Sequence, residues 1–146
     1  MVCDGAGYAK AMSLVEQAAV LDIRCPAVPA QLPAIRRAVA KAARDFGAGE
    51  EVLLQIKLAV SEAATNAVQH AYRDRAAADA GDVRVVVRYI DGYLVVHIHD
   101  DGMGLTPRSD SPGLGLGLCL MAHETDRFEI LKTPEGGTEV VLHFRL

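Results

Sequence analysis

Three polar residues, Glu62, Asn66 and His70, follow one another at intervals of four. In a helix, a step of four residues turns the side chain by only ~40°, so the three would form one polar stripe. A solvated helix face is the ordinary interpretation of such a stripe, and for Glu62 taken alone it is preferred. Asparagine, however, is a weak helix former in helix interiors, so Asn66 calls for a functional reason. Its amide oxygen suits a hard cation such as Mg²⁺, and the Glu62 carboxylate suits proton abstraction from an attacking hydroxyl.

A second candidate segment is His99-Asp100-Asp101-Gly102-Met103-Gly104. A surface turn is its ordinary interpretation, because Asp-Gly pairs are common in turns. The functional alternative places Asp100 at a strand end, where it accepts a hydrogen bond from the amino group of a nucleobase. Gly102 and Gly104 would then allow the backbone to approach that ligand closely.

Alternating glycines, Gly113, Gly115 and Gly117, precede a predicted helix. Backbone N–H groups at a helix N-terminus favour an anionic phosphate, and a flexible lid is the rival interpretation. The pattern is not the dinucleotide-binding fingerprint, since no parallel strand–helix–strand unit surrounds it. It also lacks the Gly-Lys-Ser/Thr of a P-loop.

The elements that must position these residues follow from hydrophobic periodicity and turn signals. Apolar residues recur every three or four positions over 30–46 and 50–72, which predicts two helices, and a short helix is predicted over 118–122. Alternation predicts strands over 20–25, 83–90, 93–99, 128–131 and 138–145, with Asp91-Gly92 as a hairpin turn. We therefore expect an α+β two-layer sandwich with a mixed, mostly antiparallel sheet and helices on one face.

A chain of 146 residues predicts one domain, which we place at 20–146. Residues 1–19 form a leader in which Tyr8, Met12, Val15 and Ala19 recur at helical spacing, compatible with a short helix. The net charge of −4 disfavours a nucleic acid or an anionic membrane as the main partner.

The three cysteines, Cys3, Cys25 and Cys119, are scattered, which disfavours a zinc site and a disulfide framework. We expect reduced thiols, no signal peptide and a cytoplasmic location. His97 and His99 alternate on one predicted strand, and we expect structural histidines rather than metal ligands.

Taken in order, four motifs resemble those of the GHKL ATPases, a group that includes gyrase-type ATPases and histidine kinases. They are Glu62-x-x-x-Asn66, Asp100-x-Gly102-x-Gly104, Gly113-x-Gly115-x-Gly117 and Gly137-Thr138. Within the group, the stretch 60–67 is similar to that of the bacterial anti-sigma factor serine kinases. The resemblance covers residues 21–146, and the four motifs together are more specific than any one of them.

The resemblance implies ATP and Mg²⁺ as ligands and a role for each matching residue. Glu62 corresponds to the general base, Asn66 to the magnesium ligand, Asp100 to the adenine-reading aspartate and Thr138 to a residue supporting the adenine. Gly102 and Gly104 would line the base and ribose, and Gly113, Gly115 and Gly117 the phosphate-contacting hinge of a lid. The implied partners are a sigma factor and an anti-anti-sigma antagonist protein, and a homodimer is common in the family.

Two departures from the family pattern keep more than one function open. The stretch between Gly104 and Gly113 is short, and Pro112 stands where sporulation-type kinases often carry an arginine. Because phosphoryl transfer relies on cations that neutralise developing charge, this loss bears more on turnover than on ATP binding. The leading hypothesis is a serine-protein kinase of a partner-switching system. The alternatives are a nucleotide-dependent binding module and an accessory ATPase half of a larger regulator.

Overall fold

The computed structural model describes residues 2–3, 18–72, 81–102 and 116–146. The predicted leader helix falls mainly on residues outside these ranges. The helices are α1 (Leu32–Asp45), α2 (Glu50–Tyr72) and α3 (Leu116–Glu124), and a 3-10 turn at Pro29–Gln31 precedes α1. The strands are β1 (Val2–Cys3), β2 (Leu21–Pro26), β3 (Asp82–Ile90), β4 (Tyr93–Asp100), β5 (Arg127–Lys132) and β6 (Thr138–Arg145).

The six strands form one sheet in the order β1-β5-β6-β4-β3-β2. All neighbours pair antiparallel except β1, which runs parallel to β5, so the prediction of a mixed, mostly antiparallel sheet is confirmed. The β3–β4 hairpin turns at Asp91 and Gly92, whose φ angles of 51° and 83° match the residue types that tolerate a left-handed backbone. β2 lies at a sheet edge, which explains why Pro26 is tolerated as its last residue.

The two long helices pack on one face of the sheet, because each carries an apolar stripe. The stripe of α1 buries Ile35, Val39, Ala42 and Ala43, as the sequence predicted. Alternate residues of the central strands face the same core, among them Leu94, Ile98 and Phe144, each 1% exposed or less. Because the apolar side of α2 faces the sheet, its polar side faces away from the core.

α1 ends where the helical pattern meets glycine. Gly47 has a φ of 90°, and the N–H of Ala48 donates to the carbonyl of Ala43 across the helix end. Phe46 is the last apolar position of the helical pattern predicted over 30–46, yet it is 39% exposed and stacks on Tyr89 with ring centroids 4.9 Å apart. Its position just past the last helical turn explains this exposure.

The other face of the sheet carries a smaller apolar cluster of Val95, Leu131 and Val141. His97 lies on this face beside them, 2% exposed, with Nδ1 3.2 Å from Oε1 of Glu139. Within the described ranges, no helix is long and apolar enough to cross a membrane.

Candidate functional site

The polar side of α2 carries two of the predicted site residues. Glu62 and Asn66 are both half-buried, while Ala63 and Ala67 on the opposite side are buried in the core. Glu50 and Glu51 in the first turn of α2 favour the helix start, because carboxylates are stabilised at the positive end of the helix dipole. α2 therefore holds a carboxylate and a carboxamide one turn apart on a face that solvent or a ligand reaches.

Gly117, near the start of α3, lies directly against these two side chains. A Cβ atom at this position would lie 2.9 Å from Oε2 of Glu62 and 3.9 Å from Nδ2 of Asn66. Met121, one turn later, is fully buried in the core and anchors α3 against the rest of the fold. The sequence motifs around Glu62 and Gly117 are thus brought together, although 55 positions separate them in the chain.

The N-terminal end of α3 gives this place a preference for anions. The first turn of a helix presents N–H groups without intrahelical partners, together with the positive end of the helix dipole. A depression of about 470 Å³ opens here, lined by Glu62, Gly117, Cys119, Leu120 and His123. Cys119 and His123 were not among the residues predicted for the site. Their spacing of four on a short helix is the signal that could have placed them on one face.

The second group of predicted residues meets at the end of β4. Asp100 and Thr138 are paired directly across β4 and β6, and each is 3% exposed. The backbone N–H of Gly102 donates to Oδ1 of Asp100 at 3.0 Å. Asp100 is therefore held in a fixed orientation by the turn that follows it.

Gly137 is required beside Asp100 for steric reasons. A Cβ atom at Gly137 would overlap the backbone carbonyl oxygen of Asp100 and would lie 3.1 Å from Cα of Asp101. Only a residue without a side chain allows the two backbones to approach this closely. The sequence singled out the Gly137-Thr138 pair through the family resemblance, and the structure supplies the packing reason for its glycine.

Burial raises the pKa of Asp100 from its ordinary value of 3.8 to about 6. Hydrogen bonds from the backbone N–H groups of Gly102 and Thr138 lower it, as does the neighbouring His99, but desolvation outweighs them. One more N–H donor would stabilise the ionised form of this buried carboxylate. The exocyclic amino group of a purine is a donor of that kind.

Of the nine predicted site residues, six lie in the described part of the chain and form two groups. The first group comprises Glu62, Asn66 and Gly117, and the second comprises Asp100, Gly102 and Thr138. α2, which carries the first group, packs across β4, which ends in the second. Gly104, Gly113 and Gly115 lie outside the described residues, so their predicted roles stay predictions.

Two of the histidines have carboxylate neighbours in the structure. Among the residues that the structure describes, no group of three or more His, Cys, Asp or Glu side chains could hold a metal ion. His97 is buried in the sheet beside Glu139, and His123 lies 3.1 Å from the Glu124 carboxylate.

Residues 25–144 match the family model described as a histidine kinase-like ATPase domain. An anti-sigma F factor from Clostridium novyi (strain NT) is 28% identical over 107 residues, covering 66% of this chain and 73% of the relative. A serine-protein kinase RsbW from Bacillus anthracis (strain A0248) is 26% identical over 133 residues, 81% of each chain.

A solved structure supports the fold assignment. The RsbU and RsbW domains of Rv1364c from Mycobacterium tuberculosis superpose with a TM-score of 0.65 at 22% identity. The match covers 87% of this chain but only 33% of that longer one. The shared architecture is the α+β sandwich predicted from the sequence.

Proposed function

Since the chain belongs to the family of histidine kinase-like ATPase domains, we propose that it binds ATP with Mg²⁺ and transfers the γ-phosphate to a serine of a partner protein. One observation carries the proposal. A carboxylate and a carboxamide on α2, Glu62 and Asn66, converge on Gly117 at the N-terminal end of α3. A potential base, a cation ligand and a phosphate-binding helix end therefore share one place.

The chemistry of Asn66 fits a magnesium ion shared with a nucleotide. Mg²⁺ usually takes one or two protein oxygens and fills its shell with phosphate oxygens and waters. One amide oxygen is sufficient for such a site, and the depression that Gly117 and Glu62 help to line leaves room for phosphates. When bound, the ion would neutralise the charge that develops on the phosphate oxygens during transfer.

In the proposed reaction, Glu62 acts as the general base. Its carboxylate accepts the proton of a serine hydroxyl as the serine oxygen forms a bond to the γ-phosphorus. The bond from that phosphorus to the β–γ bridging oxygen breaks, and ADP leaves with the electron pair. The backbone N–H groups at the start of α3 would hold the phosphates in place.

Asp100 would orient the adenine from the other end of the site. Its buried carboxylate already accepts the backbone N–H groups of Gly102 and Thr138, and an adenine amino group would supply a further donor. Thr138, buried opposite Asp100, would support the base from the adjacent strand. Gly102 and the predicted glycines Gly104, Gly113 and Gly115 would allow close approach to base, ribose and phosphates.

The names of the relatives suggest the partners. We propose that the chain binds a sigma factor and phosphorylates an anti-anti-sigma antagonist, and that it forms a homodimer. Because sigma factors act in the cytoplasm, the proposal also places the chain there. The short stretch between Gly104 and Gly113 favours a second candidate, a module in which nucleotide shapes a regulatory surface with little phosphoryl transfer.

Thermal unfolding tests the nucleotide site. We expect ATP and ADP to raise the melting temperature by several degrees in Mg²⁺ but not in EDTA, since ligand at ~100 times its Kd adds ~2.7 kcal/mol. The Asn66→Ala variant should lose the magnesium-dependent part of the rise in melting temperature. Gln69→Ala, an exposed carboxamide on the same helix, should retain it. No shift with either nucleotide would reject the proposal.

Transfer of labelled γ-phosphate to a candidate antagonist separates the two functions. A kinase should label a serine of the antagonist, and Glu62→Gln should reduce the rate by ~10²-fold or more. Glu51→Gln removes an exposed carboxylate from the same helix and should leave the rate unchanged. Nucleotide binding without label on the antagonist would support the binding module instead.

A further inference from the structure

The outer side of α1 concentrates positive charge on a chain that is negative overall. Four of the 15 basic residues, Arg36, Arg37, Lys41 and Arg44, lie on this 14-residue helix, where Asp45 is the one acidic residue. The last three basic residues are exposed. Lys41 is bound to Asp45 at 2.7 Å, whereas neither exposed arginine has an ion pair in the described part of the chain.

Beside this stripe, α2 exposes two leucines. Leu54 is 59% exposed and Leu58 is 37% exposed, one turn apart on the same side of the helix. Single exposed leucines are common on protein surfaces, but two at a spacing of four form a continuous apolar ridge. The ridge continues in the same direction to Glu62, one further turn along α2.

One contact shows which levels of α1 and α2 lie next to each other. Nη1 of Arg36 lies 3.4 Å from Oγ of Ser61, and a four-residue link makes α1 and α2 an antiparallel pair. Moving forward along α1 therefore means moving back along α2. By this register Leu58 lies between the levels of Arg37 and Lys41.

The same register places Leu54 near the level of Arg44. The two exposed arginines thus lie at about the same levels along the helix pair as the two leucines. The resulting surface, which we term the α1–α2 ridge, comprises Arg37, Arg44, Leu54 and Leu58.

We propose that the α1–α2 ridge binds an acidic amphipathic helix of a partner protein. Such a helix would lay two apolar residues, three or four positions apart, on Leu54 and Leu58. Its acidic side chains would lie over Arg37 and Arg44, whose guanidinium groups pair with carboxylates in a bidentate manner. In a symmetric dimer through this surface the basic stripe would face its own copy and the like charges would repel, so the stripe favours an acidic partner over a second copy.

The proposed binding is independent of the nucleotide function, because none of the four ridge residues belongs to the nucleotide site. If the proposed function also holds, the bound helix would extend toward Glu62. Binding is therefore measured without nucleotide, so that its failure and a failure of the kinase proposal remain distinguishable.

A displayed library of 18-residue helical peptides, selected on the full chain, tests the proposal. Peptides that survive counter-selection on the double variant Arg37→Glu/Leu54→Ser should carry apolar residues at i and i+4 with Glu or Asp beside them. No enrichment over the double variant, or enrichment of basic peptides, would overturn the proposal.

Single variants then measure the two parts of the surface with one selected peptide. Arg37→Glu should weaken binding about tenfold at low salt, and the loss should shrink as salt rises. Lys132→Glu, an equal charge change at an exposed position on β5, should change it less than twofold. Equal effects of the two substitutions would mean that the peptide responds to the net charge of the protein and not to the position of Arg37, which would refute the proposal.

Leu54→Ser should weaken binding about fivefold or more, whereas Val20→Ser, another exposed apolar residue, should not. Two other occupants are tested on the same variants. If Leu54→Ser converts a dimer to a monomer in sedimentation, the ridge binds a second copy. If wild type alone binds phosphatidylserine vesicles, the ridge binds a membrane. Either result would overturn the proposal.

Discussion

Replacing Asp100 by asparagine should change how the free energy of unfolding depends on pH. The folded carboxyl has a pKa of about 6, because burial disfavours its ionised form. In the unfolded chain it ionises near 3.8, the ordinary value. Between these two pH values the folded state holds a proton that the unfolded state has released, so wild type loses stability as pH rises through this window.

The size of the effect follows from the two pKa values. A difference of one pKa unit is equivalent to ~1.36 kcal/mol, so the rise from 3.8 to about 6 corresponds to about 3 kcal/mol in total. Most of this, about 2.4 kcal/mol, falls between pH 4 and pH 7, with the remainder at lower pH. Asparagine does not ionise, so Asp100→Asn should lack this component at every pH.

The assay is urea unfolding of wild type and Asp100→Asn at several pH values from 4 to 7, without nucleotide. The difference between the two free energies of unfolding should shift by about 2.4 kcal/mol in favour of the variant as pH rises. Asp91→Asn, in the exposed β3–β4 turn, keeps the left-handed backbone that asparagine tolerates and should follow wild type.

Parallel pH profiles of wild type and Asp100→Asn would refute the reasoning. They would mean that the Asp100 carboxyl is solvated in the folded protein and that its ionisation costs nothing. A shift in the opposite direction would mean that the N–H groups of Gly102 and Thr138 outweigh burial. In either case Asp100 would not need a further donor, and the argument for adenine recognition would fail.

Three further perturbations test the packing around the site. Gly137→Ala should cost about 3 kcal/mol in urea unfolding, because its Cβ meets the backbone of Asp100, whereas Gly49→Ala, with open space around it, should be near neutral. Gly117→Ala should reduce phosphoryl transfer and weaken ATP binding. The melting temperature should change little, because the flexible end of the Glu62 side chain can move aside. An unchanged rate of phosphoryl transfer would contradict this expectation. Asp22→Asn should cost less than ~1 kcal/mol, and less still in high salt, since its pair with Arg84 at 2.7 Å is exposed.

Most elements of the fold could be predicted from local patterns. The helix over 50–72 and the strand over 138–145 have the bounds that their periodicity indicated, and the ends of the other predicted elements lie within two residues of their predicted positions. These segments combine a clear period with glycine or proline boundaries, so local physics alone defines them. Two features were not predicted. β1, with two residues, is too short to show a period, and Phe46 is exposed because a residue just past a helix end no longer follows the helical period.

The candidate site divides in the same way. The sequence by itself determined which residue types stand at Glu62, Asn66, Asp100 and Gly117, and that the first two share a helix face. Spacing along one element is a local property, so a helix of known period fixes it.

Only the tertiary structure decided which groups meet and in what state. The contact of Gly117 with Glu62, the approach of Gly137 to Asp100, and the burial that raises the Asp100 pKa all join segments distant in sequence. The same holds for the exposure of Leu54 and Leu58 on α2. Such contacts depend on how helices and strands pack, and desolvation depends on every atom around a group, which no local pattern records.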